Sequence, residues 1–369
     1  MNQFYWFRRK RFFRGLLFQI ALLAGSVVLL FVSVDCLVNY FVIRRGAIND
    51  IVDIQSASVL EAKLGFLKRF HGYKVVLLGD SIIYGAVLHE HGDAAWREHN
   101  LANILARRIR KELPDRDVLV MNLGMNGALP GDLEILIRLL DDCNPDLMIV
   151  DVSLRSFSED FAAPSKRLSR PWLAELDKRS PASCPTSIAD SLEHDLKQML
   201  RQRWALYRFR DFLQLRLLGN PPSEAFRDLH DHLDQVLQRP DSFMNNSEDE
   251  FILTMKARQR YQSIYLRPDH VQRQALEEML THLSWRNQKT VIFYAKENPE
   301  TVGSLLDDDC YKELIAGLEE IITHTVGPRI RYLRAISELG PERYLDHVHV
   351  DSGGYEILAK HIWQEARGF

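Results

Sequence analysis

The sequence predicts an α/β protein in which a parallel sheet is covered by helices on both faces. Three short apolar runs, Lys74–Leu78, Asp117–Met121 and Asp146–Val152, alternate with the amphipathic segments Ala94–Glu112 and Gly131–Asp142. Strands that are apolar throughout are typical of a sheet buried on both sides, and their alternation with helices favours parallel pairing. A three-layer domain is therefore expected to begin near residue 73.

The same alternation returns near the end of the chain. We expect a strand at Lys289–Ala295, a helix at Asp307–Thr323, a strand at Arg329–Leu333 and a closing helix at Ser352–Glu365. The apolar runs again have strand length and the amphipathic ones helix length. The domain is therefore predicted to extend over residues 73–369.

Residues 155–287 interrupt this alternation. The stretch is rich in Arg, Asp, Gln and Leu, and Gly219–Pro222 is a strong loop signal within it. We interpret it as a helical insertion packed beside or over the sheet, with helices at about 187–218, 223–238, 249–263 and 268–286.

The N-terminal region predicts a membrane anchor. A cationic cluster at Arg8–Arg14 precedes Gly15–Val34, a run without charge. About 20 helical residues at 1.5 Å each cross a hydrocarbon core of about 30 Å. Positive charge on the N-terminal side keeps that end in the cytoplasm. A cleaved signal peptide and a buried helix are the alternatives, but the run is long and no small-residue cleavage site follows it.

This topology predicts the organisation of the whole chain. Residues 1–45 would form a cytoplasmic basic tail and a single-pass anchor in the plasma, or inner, membrane. Residues 46–72 would form a helical stalk. The domain over residues 73–369 would then lie outside the cytoplasm, in the periplasm of a cell with two membranes.

Composition excludes several classes of protein. The net charge of −3 and the lack of a basic stripe beyond the N-terminus argue against a nucleic-acid partner. The four cysteines contain no CxxC pair, which argues against a thiolate zinc site. One disulfide among Cys143, Cys184 and Cys310 is left open. Neither GxGxxG nor GxxxxGK[ST] occurs, so no nucleotide cofactor, and no other cofactor, is expected.

The first candidate for chemistry is Gly79-Asp80-Ser81, which directly follows the first strand. In an open α/β sheet, ligands bind beyond the carboxyl ends of the strands, so Ser81 is well placed as a nucleophile. A serine hydroxyl is weak alone and needs a base. The alternative is an ordinary turn. The G-x-S-x-G elbow is absent, because Ile83 stands at the second glycine position, and this disfavours the α/β-hydrolase fold.

The second candidate is Asp346-His347-Val348-His349, just before the last helix. An aspartate three residues from a histidine can orient its imidazole while the imidazole accepts the proton of a serine. The alternatives are two surface histidines or a metal-binding pair formed by His347 and His349. A metal site would need further ligands, and only His89 and His91 stand out as candidates.

The third candidate is the glycine-rich turn Asn122–Gly127, which follows the second strand. Such a turn can direct a backbone N–H at a developing oxyanion. Taken alone, it is equally well explained as an ordinary connection between a strand and a helix.

Together the three segments resemble the sequence blocks of the SGNH/GDSL hydrolase family. The matching stretches are LLGDSIIYG (Leu77–Gly85), NLGMNG (Asn122–Gly127) and DHVHVDSGGYEILAKHI (Asp346–Ile362). The resemblance covers residues 74–155 and 289–366. It implies the flavodoxin-like fold of that family, with Ser81 as nucleophile, His349 as base and Asp346 as its orienting carboxylate. It also implies that the backbone N–H groups of Ser81 and Gly127 bind the oxyanion.

The sequence departs from the family pattern after the third strand. The family places G-x-N-D there and uses the asparagine as a third oxyanion donor, whereas this chain has Val152-Ser153-Leu154-Arg155-Ser156. Arg155 or Ser153 is the expected substitute, since both side chains donate hydrogen bonds. The departure favours a specialised enzyme over a standard secreted esterase.

The anchor, the insertion and this departure resemble the membrane-anchored SGNH-like proteins of polysaccharide and teichoic-acid O-acylation. The segment Tyr294–Glu300 is also similar to a proline-containing loop of some of those proteins. The resemblance implies a serine O-acyltransferase or esterase that acts on acyl, above all acetyl, esters of exported or cell-envelope polysaccharide. A multi-pass membrane acyltransferase would be its partner. The alternatives are a carbohydrate esterase or lipase-like enzyme and a non-catalytic scaffold of an acylation or export complex.

Overall fold

The computed structural model describes residues 23, 25–38, 40, 54, 56–177, 196, 199, 200, 204, 258–325, 327–334, 336 and 338–369. The chain divides into two compact units. The smaller unit comprises Met1–Ile48 and Thr186–Pro222, and the larger unit comprises Asn49–Pro185 and Ser223–Phe369. The larger unit contains the whole sheet and all the candidate site residues.

The sheet of the larger unit has five strands, all parallel. Their order is β2-β1-β3-β4-β5, which is the flavodoxin-like arrangement of a doubly wound sheet. The prediction of a parallel α/β sheet is thus confirmed, and every strand lies within two residues of its predicted ends. The strands are β1 (Tyr73–Leu78), β2 (Val118–Asn122), β3 (Leu147–Asp151), β4 (Thr290–Phe293) and β5 (Ile330–Leu333).

The helices of this unit include four single-turn segments and seven longer ones. In chain order they are α1 (Ala57–Arg69), α2 (Ser81–Tyr84), α3 (Val87–Glu90), α4 (Trp96–His99), α5 (Leu101–Glu112), α6 (Pro130–Leu139), α7 (Leu173–Leu176), α8 (Val271–Trp285), α9 (Pro299–Leu305), α10 (Asp308–Thr325) and α11 (Ser352–Ala366).

Helices cover both faces of the sheet, as the fully apolar strands require. On β1, Val76 and Leu78 point into a core shared with α1, α6, α8 and α10. Val75 and Leu77 point into the opposite core, shared with α5 and α11. Successive side chains of a strand alternate between faces, so each strand contributes to both cores. The domain has three layers, as predicted.

The predicted helix Ala94–Glu112 is wrong at one point, because Asn100 divides it into α4 and α5. The backbone of Asn100 is extended, and its side-chain oxygen accepts a hydrogen bond of 3.0 Å from the N–H of Asn103. Asparagine favours this capping position over a helix interior, since its side chain satisfies a free N–H of the first turn.

The predicted stalk over residues 46–72 is wrong for the part that forms α1. Leu60 and Leu67 of this helix are fully buried in the core. Lys63 is also buried, and its ammonium donates a 2.8 Å hydrogen bond to the carbonyl of Asn122 at the end of β2. The apolar face of α1 covers the sheet, so this helix is part of the domain.

The predicted insertion over residues 155–287 is too long at its C-terminal end. Its last predicted helix, 268–286, corresponds to α8, which connects β3 to β4 and packs closely against α6. Leu276 and Leu280 of α8 are buried in the core, so α8 belongs to the helical layer that covers the sheet. The helices predicted at 187–218 and 223–238 lie outside the described residues, apart from four single positions.

In the smaller unit, residues 25–38 form a helix, and the ring of Phe31 stacks against that of Trp204 at 6.4 Å. Residues 15–22 and 24 of the predicted anchor lie outside the described residues. Within the part of the chain that the structure describes, no helix has the length and apolar character needed to cross a membrane. The anchor stays a prediction.

Candidate active site

The site is built on a sharp turn at the carboxyl end of β1. A Cβ atom on Gly79 would lie 2.6 Å from Cβ of Asp151 and 2.6 Å from Cγ1 of Ile83. Only glycine therefore allows the chain to turn so close to the end of β3. The turn lies between β1 and β3, at the switch point where the strand order of the sheet reverses and where doubly wound proteins bind ligands.

The helix α2 starts with Ser81 and is capped by Asp80. Oδ1 of Asp80 accepts a 3.0 Å hydrogen bond from the N–H of Ile82. Because Ser81 is the first residue of this helical turn, no helical carbonyl can accept its N–H. The local sequence thus presents both the hydroxyl and the N–H of Ser81 at the edge of the sheet.

Ser81, His349 and Asp346 form one chain of hydrogen bonds. Nε2 of His349 lies 2.8 Å from Oγ of Ser81, and Nδ1 of His349 lies 2.6 Å from Oδ2 of Asp346. Oδ1 of Asp346 accepts the N–H groups of Val348 and His349, each at 2.8 Å. The carboxylate is therefore fixed by its own loop, and it in turn fixes the imidazole.

The electrostatics of this chain favour an ionised aspartate. Burial opposes ionisation of Asp346, but the hydrogen bond and charge of His349, with the two backbone N–H groups, hold the pKa of Asp346 well below its usual range. An ionised Asp346 accepts only, so Nδ1 of His349 carries a hydrogen. In the neutral imidazole Nε2 is then the acceptor, and the hydroxyl of Ser81 donates to it. The arrangement can remove a proton from the serine.

The loop that carries Asp346 and His349 is held from two sides. Leu345 N–H donates to the carbonyl of His349 at 2.7 Å, which closes the loop on itself. The predicted proline-containing segment supplies the second support: the N–H of Asn298 donates to the carbonyl of His347 at 2.9 Å, and its side chain donates to the carbonyl of Asp346 at 3.4 Å. Asn298 also caps α9, so the N-terminal end of α9 holds this loop.

The turn after β2 lies directly against the turn of Ser81. Asn122 donates a 2.7 Å hydrogen bond from Nδ2 to the carbonyl of Ile83, and Met125 N–H donates to the carbonyl of Gly79 at 3.0 Å. Gly127, the predicted oxyanion donor, is exposed on this turn with a φ of 68°. A left-handed backbone at that point suits glycine and allows its N–H to face outward.

Sequence analysis missed two side chains that hold the Ser81 turn. One is Asn122, whose amide bonds the carbonyl of Ile83. The other is Tyr355 of α11, whose fully buried hydroxyl donates to the carbonyl of Ile82 at 2.9 Å. Both residues stand in the stretches whose sequence resembles the SGNH/GDSL blocks, so the sequence already marked their positions. It did not mark their partners, because those contacts depend on the fold.

The two predicted substitutes for the missing asparagine, Arg155 and Ser153, contact each other, and Arg155 also contacts Asp80. Arg155 lies in a short 3₁₀ helix after β3, and its Nη2 donates to Oδ2 of Asp80 at 3.1 Å. Its Nε donates to Oγ of Ser153 at 3.3 Å. Neither of these two contacts involves Ser81.

Two buried acids, Asp151 and Glu297, lie behind the site. Sequence analysis did not identify either of them. Both carboxyl oxygens of Asp151 are buried, and the carboxyl lies against that of Asp80 and the backbone of Ala295. Burial and the neighbouring charge of Asp80 raise the pKa of Asp151 well above its usual range. Glu297 accepts hydrogen bonds from the hydroxyls of Tyr311 (2.8 Å) and Tyr261 (3.3 Å), and burial raises its pKa to about 7.

The histidines weighed as metal ligands lie in different surroundings. The ring of His89 stacks against Trp96, with 5.9 Å between ring centroids, and His91 is exposed at the end of α3. His347 packs edge-on against Tyr261. Among the described residues, no group of three or more histidine, cysteine, aspartate or glutamate side chains could hold a metal ion.

Comparison with known proteins gives little independent information. No protein-family model and no curated protein matches the chain. One similar solved structure is that of LAE5, an α/β hydrolase enzyme from the metagenome of Lake Arreo, Spain. It is 11% identical, with a TM-score of 0.36, and the match covers 82% of this chain and 98% of that one. A likeness at this level does not identify a family, so function must be argued from the site.

Proposed function

We propose that this chain is a serine enzyme of the SGNH/GDSL type, in which Ser81, His349 and Asp346 carry out acyl transfer. The observation that carries the proposal is the continuous hydrogen-bonded chain from Asp346 through His349 to Ser81. Its position at the switch point of a doubly wound sheet supports a ligand site. A nucleophile within reach of a base, itself oriented by a third group, is the arrangement on which serine acyl transfer depends.

The first half-reaction forms an acyl-enzyme. Oγ of Ser81 attacks the carbonyl carbon of an ester while Nε2 of His349 takes the hydroxyl proton. The N–H groups of Ser81 and Gly127 stabilise the negative charge on the former carbonyl oxygen. When the intermediate collapses, the bond to the leaving oxygen breaks, and His349 gives its proton to that oxygen. Asp346 stays ionised and stabilises the imidazolium in between.

The second half-reaction releases the acyl group. His349 takes a proton from a hydroxyl of the acceptor, whose oxygen attacks the acyl carbon. The bond to Oγ of Ser81 then breaks, and the proton on His349 returns to that oxygen. A sugar hydroxyl as acceptor makes the enzyme an O-acyltransferase, and water makes it an esterase. The same residues serve both outcomes.

The proposed substrates are acyl, above all acetyl, esters of exported or cell-envelope polysaccharide. The resemblance of the segment Tyr294–Glu300 to a loop of polysaccharide O-acylation proteins supports this, since Asn298 of that segment holds the Asp346–His349 loop. The proposed anchor at Gly15–Val34 would keep the domain at the outer face of the plasma membrane, beside a multi-pass acyltransferase partner.

A second candidate function is a non-catalytic scaffold of an acylation or export complex. The observation that favours it is the absence of the family's oxyanion asparagine after β3, where Arg155 pairs with Asp80. A scaffold needs no reactive serine, so the two functions differ in the reactivity of Ser81.

Covalent labelling with a fluorophosphonate probe tests the proposal. The wild-type chain should be labelled, and Ser81→Ala should lose the label. Ser58→Ala, which removes another buried serine, should be labelled like the wild type. Equal labelling of the wild type and Ser81→Ala, or none of either, would favour the scaffold. With p-nitrophenyl acetate and an oligosaccharide present, acetylated sugar indicates a transferase, and free acetate alone indicates an esterase.

A further inference from the structure

The turn that carries Ser81 is held by an ion pair with Arg155, which lies in the 3₁₀ helix after β3. Oδ2 of Asp80 accepts a hydrogen bond from Nη2 of Arg155 at 3.1 Å, while Oδ1 caps the N–H of Ile82. The side chains of Arg155 and Asp80 are only 19% and 7% exposed, so water screens their attraction weakly. One carboxylate thus connects the guanidinium to the backbone on either side of Ser81.

The guanidinium of Arg155 is itself held in place. Its Nε donates to Oγ of Ser153, which precedes it on the same loop. Burial alone would lower the pKa of Arg155, but the charges of Asp80, Tyr261, Glu297 and Asp151 raise it, so the group stays charged. A charged guanidinium with two of its three nitrogens engaged is a fixed support.

We propose that Arg155 is a positioning residue, which acts through Asp80 to hold the N-terminus of α2 and Ser81, and is not a third oxyanion donor. The oxyanion is then bound by the backbone N–H groups of Ser81 and Gly127. This inference rests on the proposed function of Ser81 as nucleophile.

The physical consequence is that Arg155 and Asp80 act as one unit. Without Arg155, the buried carboxylate of Asp80 would lose the cation that pairs with its Oδ2. A cap held less firmly displaces Ser81 relative to His349. Misplacement by about 1 Å can cost on the order of 10²-fold in rate.

A double-mutant cycle separates positioning from direct contact. Arg155→Gln removes the charge, and Asp80→Asn removes the carboxylate but keeps an oxygen that can cap Ile82. With p-nitrophenyl acetate as the probe, each single variant should lower kcat by about 10- to 100-fold and change KM by less than about 3-fold. The double variant should lose no more than the worse single variant. Losses that multiply would overturn the proposal, since independent contributions add as free energies.

Two further variants sharpen the test. Arg155→Lys can still pair with Asp80, so it should be several-fold more active than Arg155→Gln. Arg155→Asn, which offers the amide of the family pattern, should be no better than Arg155→Gln. Activity of Arg155→Asn near the wild-type level would show that a direct donor is needed and would refute the positioning role.

Circular dichroism would show whether Arg155→Gln fails to fold. Arg155→Lys and Asp80→Asn would then form the double-mutant cycle, and the double variant should again lose no more than the worse single variant. Failure of the proposed function looks different: the wild type itself would then fail to react with a fluorophosphonate. A labelled wild type with multiplying losses would reject the role of Arg155 alone.

Discussion

The hydroxyl of Ser81 lies 2.8 Å from Nε2 of His349, although 268 positions separate the two residues in the chain. The same two segments meet a second time, where the hydroxyl of Tyr355 on α11 donates to the carbonyl of Ile82. The C-terminal segment therefore supplies the proposed base and also fixes the turn that presents the nucleophile. The site therefore requires the turn after β1 and the C-terminal segment that leads into α11 to be brought together.

Replacement of Asp346 by asparagine should impair turnover while the fold is kept. The asparagine amide would present a donor to Nδ1 of His349 and favour the tautomer with hydrogen on Nε2, which cannot accept the proton of Ser81. We expect kcat for p-nitrophenyl acetate to fall by about 10²- to 10⁴-fold. Steady-state kinetics measure this directly.

The matched control for that variant is Asp351→Asn. Asp351 lies five residues further on and caps α11 by accepting the N–H of Gly354, a role that asparagine also fills. The kcat of Asp351→Asn should stay within about 3-fold of the wild type, because asparagine preserves the cap of α11. Equal activity of Asp346→Asn and the wild type would contradict the orienting role of Asp346.

Gly79 and Gly303 should respond in opposite ways to replacement by alanine. A Cβ at Gly79 would meet Asp151 and Ile83 at 2.6 Å, far inside normal contact, and both neighbours are buried. A Cβ at Gly303, within α9, would meet no atom within 4 Å. Gly79→Ala should lower the free energy of unfolding by about 1–3 kcal/mol, as overpacking does. Gly303→Ala should raise it by about 0.5–1 kcal/mol.

Urea unfolding followed by tryptophan fluorescence measures both changes. The glycines differ in the space around them, so the pair tests the close approach of the Ser81 turn to β3. Stability of Gly79→Ala equal to or above that of the wild type would show that the turn has room for a side chain, and the account of Gly79 would be wrong.

The sheet was predictable because its strands are apolar throughout and separated by amphipathic helices. Those patterns depend on neighbours along the chain, and they located each strand within two residues. The break at Asn100 was not predicted, because the apolar pattern continues through this position. The capping preference of asparagine outweighs that pattern. The burial of α1 was less visible, because a stalk and a helix that covers a sheet both carry apolar residues.

The arrangement of Ser81, Asp346 and His349 was predictable from three short blocks and the rule that strand ends share an edge. The pairing of Arg155 with Asp80 was not, since nothing in the order of residues says which carboxylate a guanidinium will meet. Glu297 was missed for the same reason. Its two tyrosine partners, Tyr261 and Tyr311, come from separate segments that only the fold brings together.

Glu297 should make the protein less stable as the pH rises from about 4.5 to 7. Burial raises the pKa of Glu297 from 4.5 to about 7, although hydrogen bonds from Tyr311 and Tyr261 and the charge of Arg155 oppose the rise. Between these two values the unfolded chain has lost a proton that the folded chain keeps. The unfolded state then binds fewer protons, so the free energy of unfolding falls as the pH increases. Above pH 7 this group adds no further dependence.

Glu297→Gln removes this titration and keeps an oxygen that can accept from Tyr311. The free energy of unfolding of Glu297→Gln minus that of the wild type should therefore increase by on the order of 3 kcal/mol between pH 4.5 and 8, as 1.36 kcal/mol per pKa unit implies. Any constant difference in hydrogen bonding shifts the curve equally at every pH. The exposed Glu342→Gln is the control and should show no such gain. Parallel stability curves for Glu297→Gln and the wild type, measured by urea unfolding at several pH values, would mean that Glu297 ionises in the folded protein as it does in water.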